Sequence, residues 1–244
     1  MRLIEDITHR PYRLPAGAWV MKQEWHRLLF AHWSLDPAQL QPLIPKGLTL
    51  DTFDGRAWIS VVPFYMRGIR LRVTPPAPYL SAFAELNVRT YVTVNGDKPG
   101  VVFFSLDAAN PIGVWLGRNW YHLPYFNADM QVQVDGDKVT YSSRRTHKNA
   151  PVGEFQATYT PDSDVFHAEP GTLDHWLVER YCLYTTGRKG RIVRGDIHHV
   201  RWPVQRAKAD ITLNTVAPIP LTNTPDLVHY ARKLEVLAWP IKAV

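Results

Sequence analysis

Glu85, Asn87, Arg89 and Tyr91 stand at alternate positions and offer an acid, an amide, a cation and a phenol in one row. Side chains alternate across a β-strand, so a strand over 83–94 presents all four on one face. Ala84, Leu86, Val88, Thr90 and Val92 occupy the other face. Such a set can orient a small polar ligand. Arg89 would hold a carboxylate or carbonyl oxygen, and Glu85, the candidate catalytic residue, would orient Arg89 or act as acid or base depending on its burial. The plainer alternative is a solvated sheet face with an ordinary cross-strand ion pair. Against it, the next segment is almost unbroken Val and Phe over 101–104, the pattern of a strand buried on both sides. Ser105 and Asp107 alternate there too. Matching polar with polar sets a register with Arg89 opposite Asp107 and Tyr91 opposite Ser105.

Other residues offer chemistry with less support. Arg118 lies among Trp115, Trp120, Tyr121, His122 and Tyr125, where it could grip a carboxylate bidentately or simply form a structural ion pair. His26, Leu28, Phe30 and His32 read as one strand face, so His26 or His32 could be a pocket base, although a hydrogen-bonded structural histidine is the commoner role. His198 and His199 are adjacent, point to opposite strand faces and cannot both ligate one metal. No zinc-binding helix motif is present, and no metal is expected. Glycine fingerprints for phosphates or dinucleotides and the nucleophile-elbow pattern are also missing, so no cofactor is expected. Cys182, the only cysteine, allows no intrachain disulfide and reads as a small buried hydrophobe on a helix.

Composition narrows the class. With 45% hydrophobic and 20% charged residues the chain is ordinary for a globular protein, and nine tryptophans suggest a core or pocket walled by flat side chains. A net charge of +6 is modest. The densest basic run, Arg188, Lys189, Arg191 and Arg194, is broken by glycines and reads as a solvated loop, so no nucleic-acid partner is expected. No segment approaches the roughly 18 apolar residues of a membrane span, and the first residues lack the apolar run of a signal peptide. A cytoplasmic location is the expectation, and a homo-oligomer is compatible with the sequence.

The elements that must position these residues follow from periodicity and turns. Residues 1–18 read as an arm and 19–244 as one domain. A strand covers 25–33, and Asp36-Pro37 opens a short helix ended by Pro45. Asp54-Gly55, Asn95-Gly96 and Asp135-Gly136 predict three hairpins: 49–53 with 57–66, 83–94 with 101–107, and 128–134 with 138–144. Thr172 caps a helix reaching about Tyr184. Further strands cover 191–202, 205–214 and 233–239, and Pro75-Pro76-Ala77-Pro78 forms a rigid exposed loop. The class is α+β, mainly antiparallel β.

Several segments together are distinctive: 25–33 (WHRLLFAHW), 43–50 (LIPKGLTL), 85–92 (ELNVRTYV), 102–107 (VFFSLD), 123–125, 180–185 (RYCLYT), 198–205 (HHVRWPVQ) and 234–240 (LEVLAWP). They resemble the YqjF-like family of uncharacterised conserved bacterial proteins, itself similar in fold to acetoacetate decarboxylase. The resemblance implies a cone-like β-barrel with surrounding sheet, two or three helices and an interior pocket. Acetoacetate decarboxylase works through a Schiff-base lysine. The matching stretch here, about 114–125, contains Arg118 but no lysine, and arginine cannot replace an amine nucleophile. The expectation is a pocket for a small carbonyl- or carboxylate-bearing molecule, contacted by Asn87, Arg89, Tyr91, Asp107, Arg118 and His26. Any catalysis would be lyase- or hydratase-like without a Schiff base. The competing class is a non-catalytic scaffold or interaction protein with a filled interior.

Overall fold

A computed structural model describes residues 3–77 and 80–244. In chain order its strands are β1 (Met21–Leu35), β2 (Thr49–Leu50), β3 (Ala57–Leu71), β4 (Phe83–Val94), β5 (Asp97–Ala108), β6 (Tyr125–Asp135), β7 (Lys138–Arg145), β8 (Glu154–Pro161), β9 (Cys182–Thr186), β10 (Ile192–His198), β11 (Gln205–Asn214), β12 (Leu227–Ala238) and β13 (Lys242–Ala243). The helices are short: α1 (Pro37–Leu40), α2 (Pro111–Trp120) and α3 (Leu173–Val178). No described helix is long and apolar enough to cross a membrane.

All thirteen strands join one sheet, in the order β13-β10-β9-β5-β6-β7-β8-β11-β12-β1-β3-β4-β2. Extra pairings, β10 with β12 and β5 with β4, close it on itself. One closed circuit runs through β1, β3, β4, β5, β9, β10 and β12. The antiparallel run β6-β7-β8-β11 packs against the other side of β1, β3 and β4. Two cores result. Leu29, Leu86, Val88, Tyr141, Phe155 and Tyr159 fill the space under β7 and β8. Leu28, Phe30, Phe64, Tyr91, Trp202 and Leu234 belong to the core inside the closed circuit.

Sheet dominates, as expected, and several local signals translate directly. Asn95 and Gly96 both take positive φ (52° and 76°), the turn conformation that joins β4 to β5. Asp36 caps α1 by accepting from the Ala38 amide, and Gln39 completes a capping box. Other expectations need correction. The Asp54-Gly55 turn is tight, with Phe53 and Arg56 exchanging backbone hydrogen bonds, but β2 pairs with β4 rather than β3. The helix capped by Thr172 stops at Val178, where the Arg180 side chain folds back to donate to the Trp176 carbonyl at 2.7 Å. Cys182 therefore starts a strand. β8 was not anticipated. In the proline loop, Pro75, Pro76 and Ala77 are exposed, and Pro78 lies outside the described residues. The N-terminal arm is tied down: Arg10 donates to the Ile197 carbonyl at 3.1 Å and stacks 4.3 Å above the Tyr181 ring.

Candidate functional site

The closed circuit encloses a cavity of about 210 Å³. Each of its seven strands contributes at least one lining residue, and α2 closes one side with Ile112, Gly113, Leu116 and Gly117. Most of the wall is aliphatic or aromatic. Glu85, Asn87 and Arg89 all reach the cavity from β4, joined by Arg180, His199 and Trp202. The alternation of β4 thus places three of the four expected polar side chains inward, with Glu85, Asn87 and Arg89 each under a tenth exposed.

Glu85 sits where β4 meets α2 and the start of β6. Its carboxylate accepts from the Tyr125 hydroxyl at 3.0 Å. Gly117 makes that contact possible, because a Cβ there would stand 2.4 Å from Tyr125 Cδ2. Burial pushes the Glu85 carboxyl up to about 8; the Tyr125 bond pulls it down and the Asp107 charge adds to the rise. That shift favours the protonated form at neutral pH.

Arg89 is a buried cation without an ion pair among the described residues. One guanidinium nitrogen donates to the Leu177 carbonyl at 3.2 Å, and Nε has no partner. The charge lies over the Phe30 and Tyr91 rings, 5.2 and 5.7 Å from their centroids. Arg180, the second cavity guanidinium, is held by Asp51 at 2.8 Å and lies 4.9 Å from the Tyr91 centroid. Burial lowers its pKa, and Asp51 offsets part of that. Both arginines bond to carbonyls of α3, Leu177 and Trp176, so this one short helix positions them together.

The remaining expected site residues lie elsewhere. Asp107 is not opposite Arg89. It faces Leu86, while Arg89 faces Phe103, and a bulge intervenes because Val88 pairs with Ser105 and Arg89 with Phe103. Polar does not match polar: Ser105 and Asp107 point to the face opposite the cavity. There Arg145 grips Asp107 through two hydrogen bonds of 2.8 and 3.1 Å. Burial still lifts the Asp107 carboxyl, and Arg145 offsets only part of the rise. Tyr91 is buried behind the arginines, packed on Trp176, and is not a lining residue. Arg118 faces outward and donates to the Tyr125 carbonyl at 2.7 Å. His26 bonds to Glu24 at 3.2 Å and does not share a face with Leu28 and Phe30. Arg27 adopts φ 56°, and β1 slips by one residue against β3 between His26 and Ala31.

Two features go beyond the expected site: Arg180, which the sequence pattern did not single out, and a file that links His32 and Tyr91, which it did, to partners it did not. Arg180 stands in the turn between α3 and β9. A buried hydrogen-bonded file also runs from Tyr91 to the rim. Tyr91 OH meets Ser60 Oγ at 2.8 Å, Ser60 meets His32 Nδ1 at 2.7 Å, and His32 Nε2 meets His229 Nδ1 at 3.2 Å. His229 Nε2 then meets Asp174 Oδ1 at 2.9 Å, and Arg206 holds both oxygens of Asp174. Burial, helped by the charges of His229 and Arg89, keeps the His32 pKa well below its ordinary value. No group of described residues has the arrangement of a metal site. The cavity wall includes no lysine among the described residues. Lys98 instead pairs with Asp196 at 2.6 Å.

Comparison with known proteins agrees with this fold. The model of DUF2071, a family described as uncharacterized conserved protein, matches residues 22–235. The chain is 46% identical over 243 residues to the uncharacterized protein YqjF of Bacillus subtilis (strain 168), covering 98% of this chain and 99% of that one. Among solved structures it is similar to an acetoacetate decarboxylase-like enzyme from Sphingomonas wittichii RW1, with a TM-score of 0.63 and 15% identity over 97% of this chain and 98% of the other. The enduracididine biosynthesis enzyme MppR complexed with pyruvate is similar with a TM-score of 0.60 and 12% identity, over 97% and 93% of the two chains. At these identities the structural likeness speaks for the fold alone.

Proposed function

The chain belongs to the DUF2071 family of uncharacterized conserved proteins, and on that premise we propose that its cavity binds a small molecule bearing a carboxylate or carbonyl group. The observation that carries the reading is Arg89, a buried cavity-facing guanidinium with an unsatisfied Nε and no ion pair among the described residues. A charge removed from water needs a counter-charge or it destabilises the fold. The neighbouring carboxyl is a poor counter-charge, because burial pushes Glu85 up to about 8 and so favours its protonated form at neutral pH. An anionic ligand supplies what the protein withholds. MppR, on the same fold, is complexed with a small oxo acid, pyruvate, which fits the same ligand chemistry.

Glu85 then acts as a proton donor toward an oxygen of the bound molecule, and the apolar wall excludes water. The closed circuit of strands is read as the cone-like barrel around this site. Imine chemistry is not part of the proposal, since the described residues of the wall include no lysine and Arg cannot become an amine nucleophile. The scaffold reading calls for a filled interior, and the cavity at Glu85, Asn87 and Arg89 argues against it.

The test is a thermal-shift screen of small carboxylates on the parent protein and Arg89→Ala. Carboxylates are expected to raise Tm in the parent and not in the variant. A carboxylate that stabilises both equally places the site elsewhere. Covalent trapping of a carbonyl compound on a lysine by cyanoborohydride would overturn the exclusion of Schiff-base chemistry.

A further inference from the structure

Four buried polar atoms without partners belong to residues lining this one cavity: Arg89 Nε, Arg180 Nη2, Trp202 Nε1 and Asn87 Oδ1. Native interiors pair nearly all such atoms, and each exception calls for a cause. Three of the four are donors, which a carboxylate can satisfy. The fourth is an acceptor, and a carboxylate cannot satisfy it. Asn87 therefore asks for a hydrogen-bond donor on the ligand. It stands one alternate position from Arg89 on β4, about 7 Å along the strand. A donor one or two carbons from the carboxylate would let one small ligand reach both side chains.

The rest of the wall sets the tail. Leu28, Phe30, Val62, Phe64 and Phe103 offer apolar surface and no hydrogen bonds from their side chains. An apolar cavity of about 150 Å³ accommodates benzene, so 210 Å³ holds roughly a six-membered ring with a short acid arm.

We propose that the cavity takes a hydroxy-substituted monocarboxylate with its hydroxyl on carbon 2 or 3 and an apolar tail of about ring size. The carboxylate meets Arg89 and Arg180, the hydroxyl donates to Asn87 Oδ1, and the tail lies among the aromatic side chains. The inference rests on the carboxylate reading of Arg89 and adds the ligand class to it.

Calorimetric titration of 3-phenylpropanoate, 3-phenyllactate, 3-hydroxy-3-phenylpropanoate and the carboxylate-free 3-phenyl-1,2-propanediol tests it, on the parent protein and on Asn87→Leu. At least one hydroxy acid is expected to bind the parent tenfold or more tightly than 3-phenylpropanoate, because a site polar atom left unpaired penalises the analogue that lacks its partner. That gap should close in N87L. The diol should bind far more weakly than the tighter hydroxy acid, and equal binding of the two would overturn the carboxylate reading. Equal parent affinities for hydroxy and deoxy acids would overturn the hydroxyl assignment while leaving the carboxylate reading intact, as would a gap that persists in N87L. Absence of binding by every acid would overturn both. The comparison on the parent needs no variant, so it decides the matter even if N87L fails to fold.

Discussion

Replacing Glu85 with glutamine tests whether the cavity holds a neutral acid. In the unfolded chain this carboxyl loses its proton near 4.5, and in the folded protein it does so near 8. Between those values the folded state carries a proton that the unfolded state has released, so stability falls as pH rises. The interval spans 3.5 pH units, and at about 1.36 kcal/mol per unit the total is roughly 5 kcal/mol. Glu85→Gln keeps an oxygen to accept from Tyr125 but cannot ionise. The variant should match the parent near pH 5 and gain on it steadily until about pH 8, after which the gap levels off. Other titrating groups act equally on both proteins and cancel in the difference. Urea unfolding from pH 5 to 9 measures the gap directly, and for a chain of this length it corresponds to about 10–20 °C in Tm. A gap that stays constant across this range would mean that Glu85 ionises as an ordinary carboxylate. One that widens toward acid would mean that the fold prefers the anion.

Three further outcomes follow from the geometry. Asp107→Asn leaves Arg145 buried with its counter-charge removed, at an expected cost of about 3–5 kcal/mol in urea unfolding; replacing both partners with apolar residues should cost much less, and a loss under about 1 kcal/mol for the single variant would refute the pairing's importance. Gly117→Ala forces the Tyr125 ring to move, with an expected loss of about 1–3 kcal/mol and a rise in the pH at which Glu85 ionises, since the Tyr125 bond that lowers it is lost. An unchanged unfolding midpoint in G117A would contradict this. The Cys182 thiol, pushed up to about 11 by burial, should resist a thiol-specific reagent at pH 8 in the native protein and react fully in urea; rapid native labelling would expose an open route into the cavity.

Much of the frame could be read from local pattern, and each failure has its own physical cause. β4 was read with its observed bounds because the Asn95-Gly96 turn ends it and its alternation is strict. That same alternation aims Glu85, Asn87 and Arg89 inward. The register with β5 was misread because it assumed that polar residues prefer polar neighbours across a strand pair. Asp107 instead finds Arg145 on β7, 38 residues on, and no local spacing announces a partner that distant. Bulges did the rest. Arg27 takes a left-handed conformation without being Gly or Asn, so nothing in the sequence marks the point where His26 leaves the face of Leu28. The spacing of Leu173, Trp176, Leu177, Tyr181 and Tyr184 suits a helix throughout, yet Tyr184 belongs to a strand. β8 was the avoidable miss, since Phe155, Ala157 and Tyr159 alternate plainly and are buried.

The file of groups behind the arginines has two possible polarities. Asp174, kept as an anion well below the usual carboxylate range by His229 and Arg206, can only accept a hydrogen. His229 Nε2 lies 2.9 Å from that carboxylate and also 2.9 Å from Arg206 Nη1, which can only donate. The ring therefore either gives Nε2–H to Asp174 or accepts at Nε2 from Arg206, and the choice reverses which of its nitrogens is bare. Whichever form His229 takes fixes the role of His32 Nε2, and through it the hydrogens of Ser60 and Tyr91, the fourth group inward from the aspartate. No hydrogen in the series turns without turning the others. The polarity of this part of the interior is a single collective property, chosen between an acid and a base at the surface.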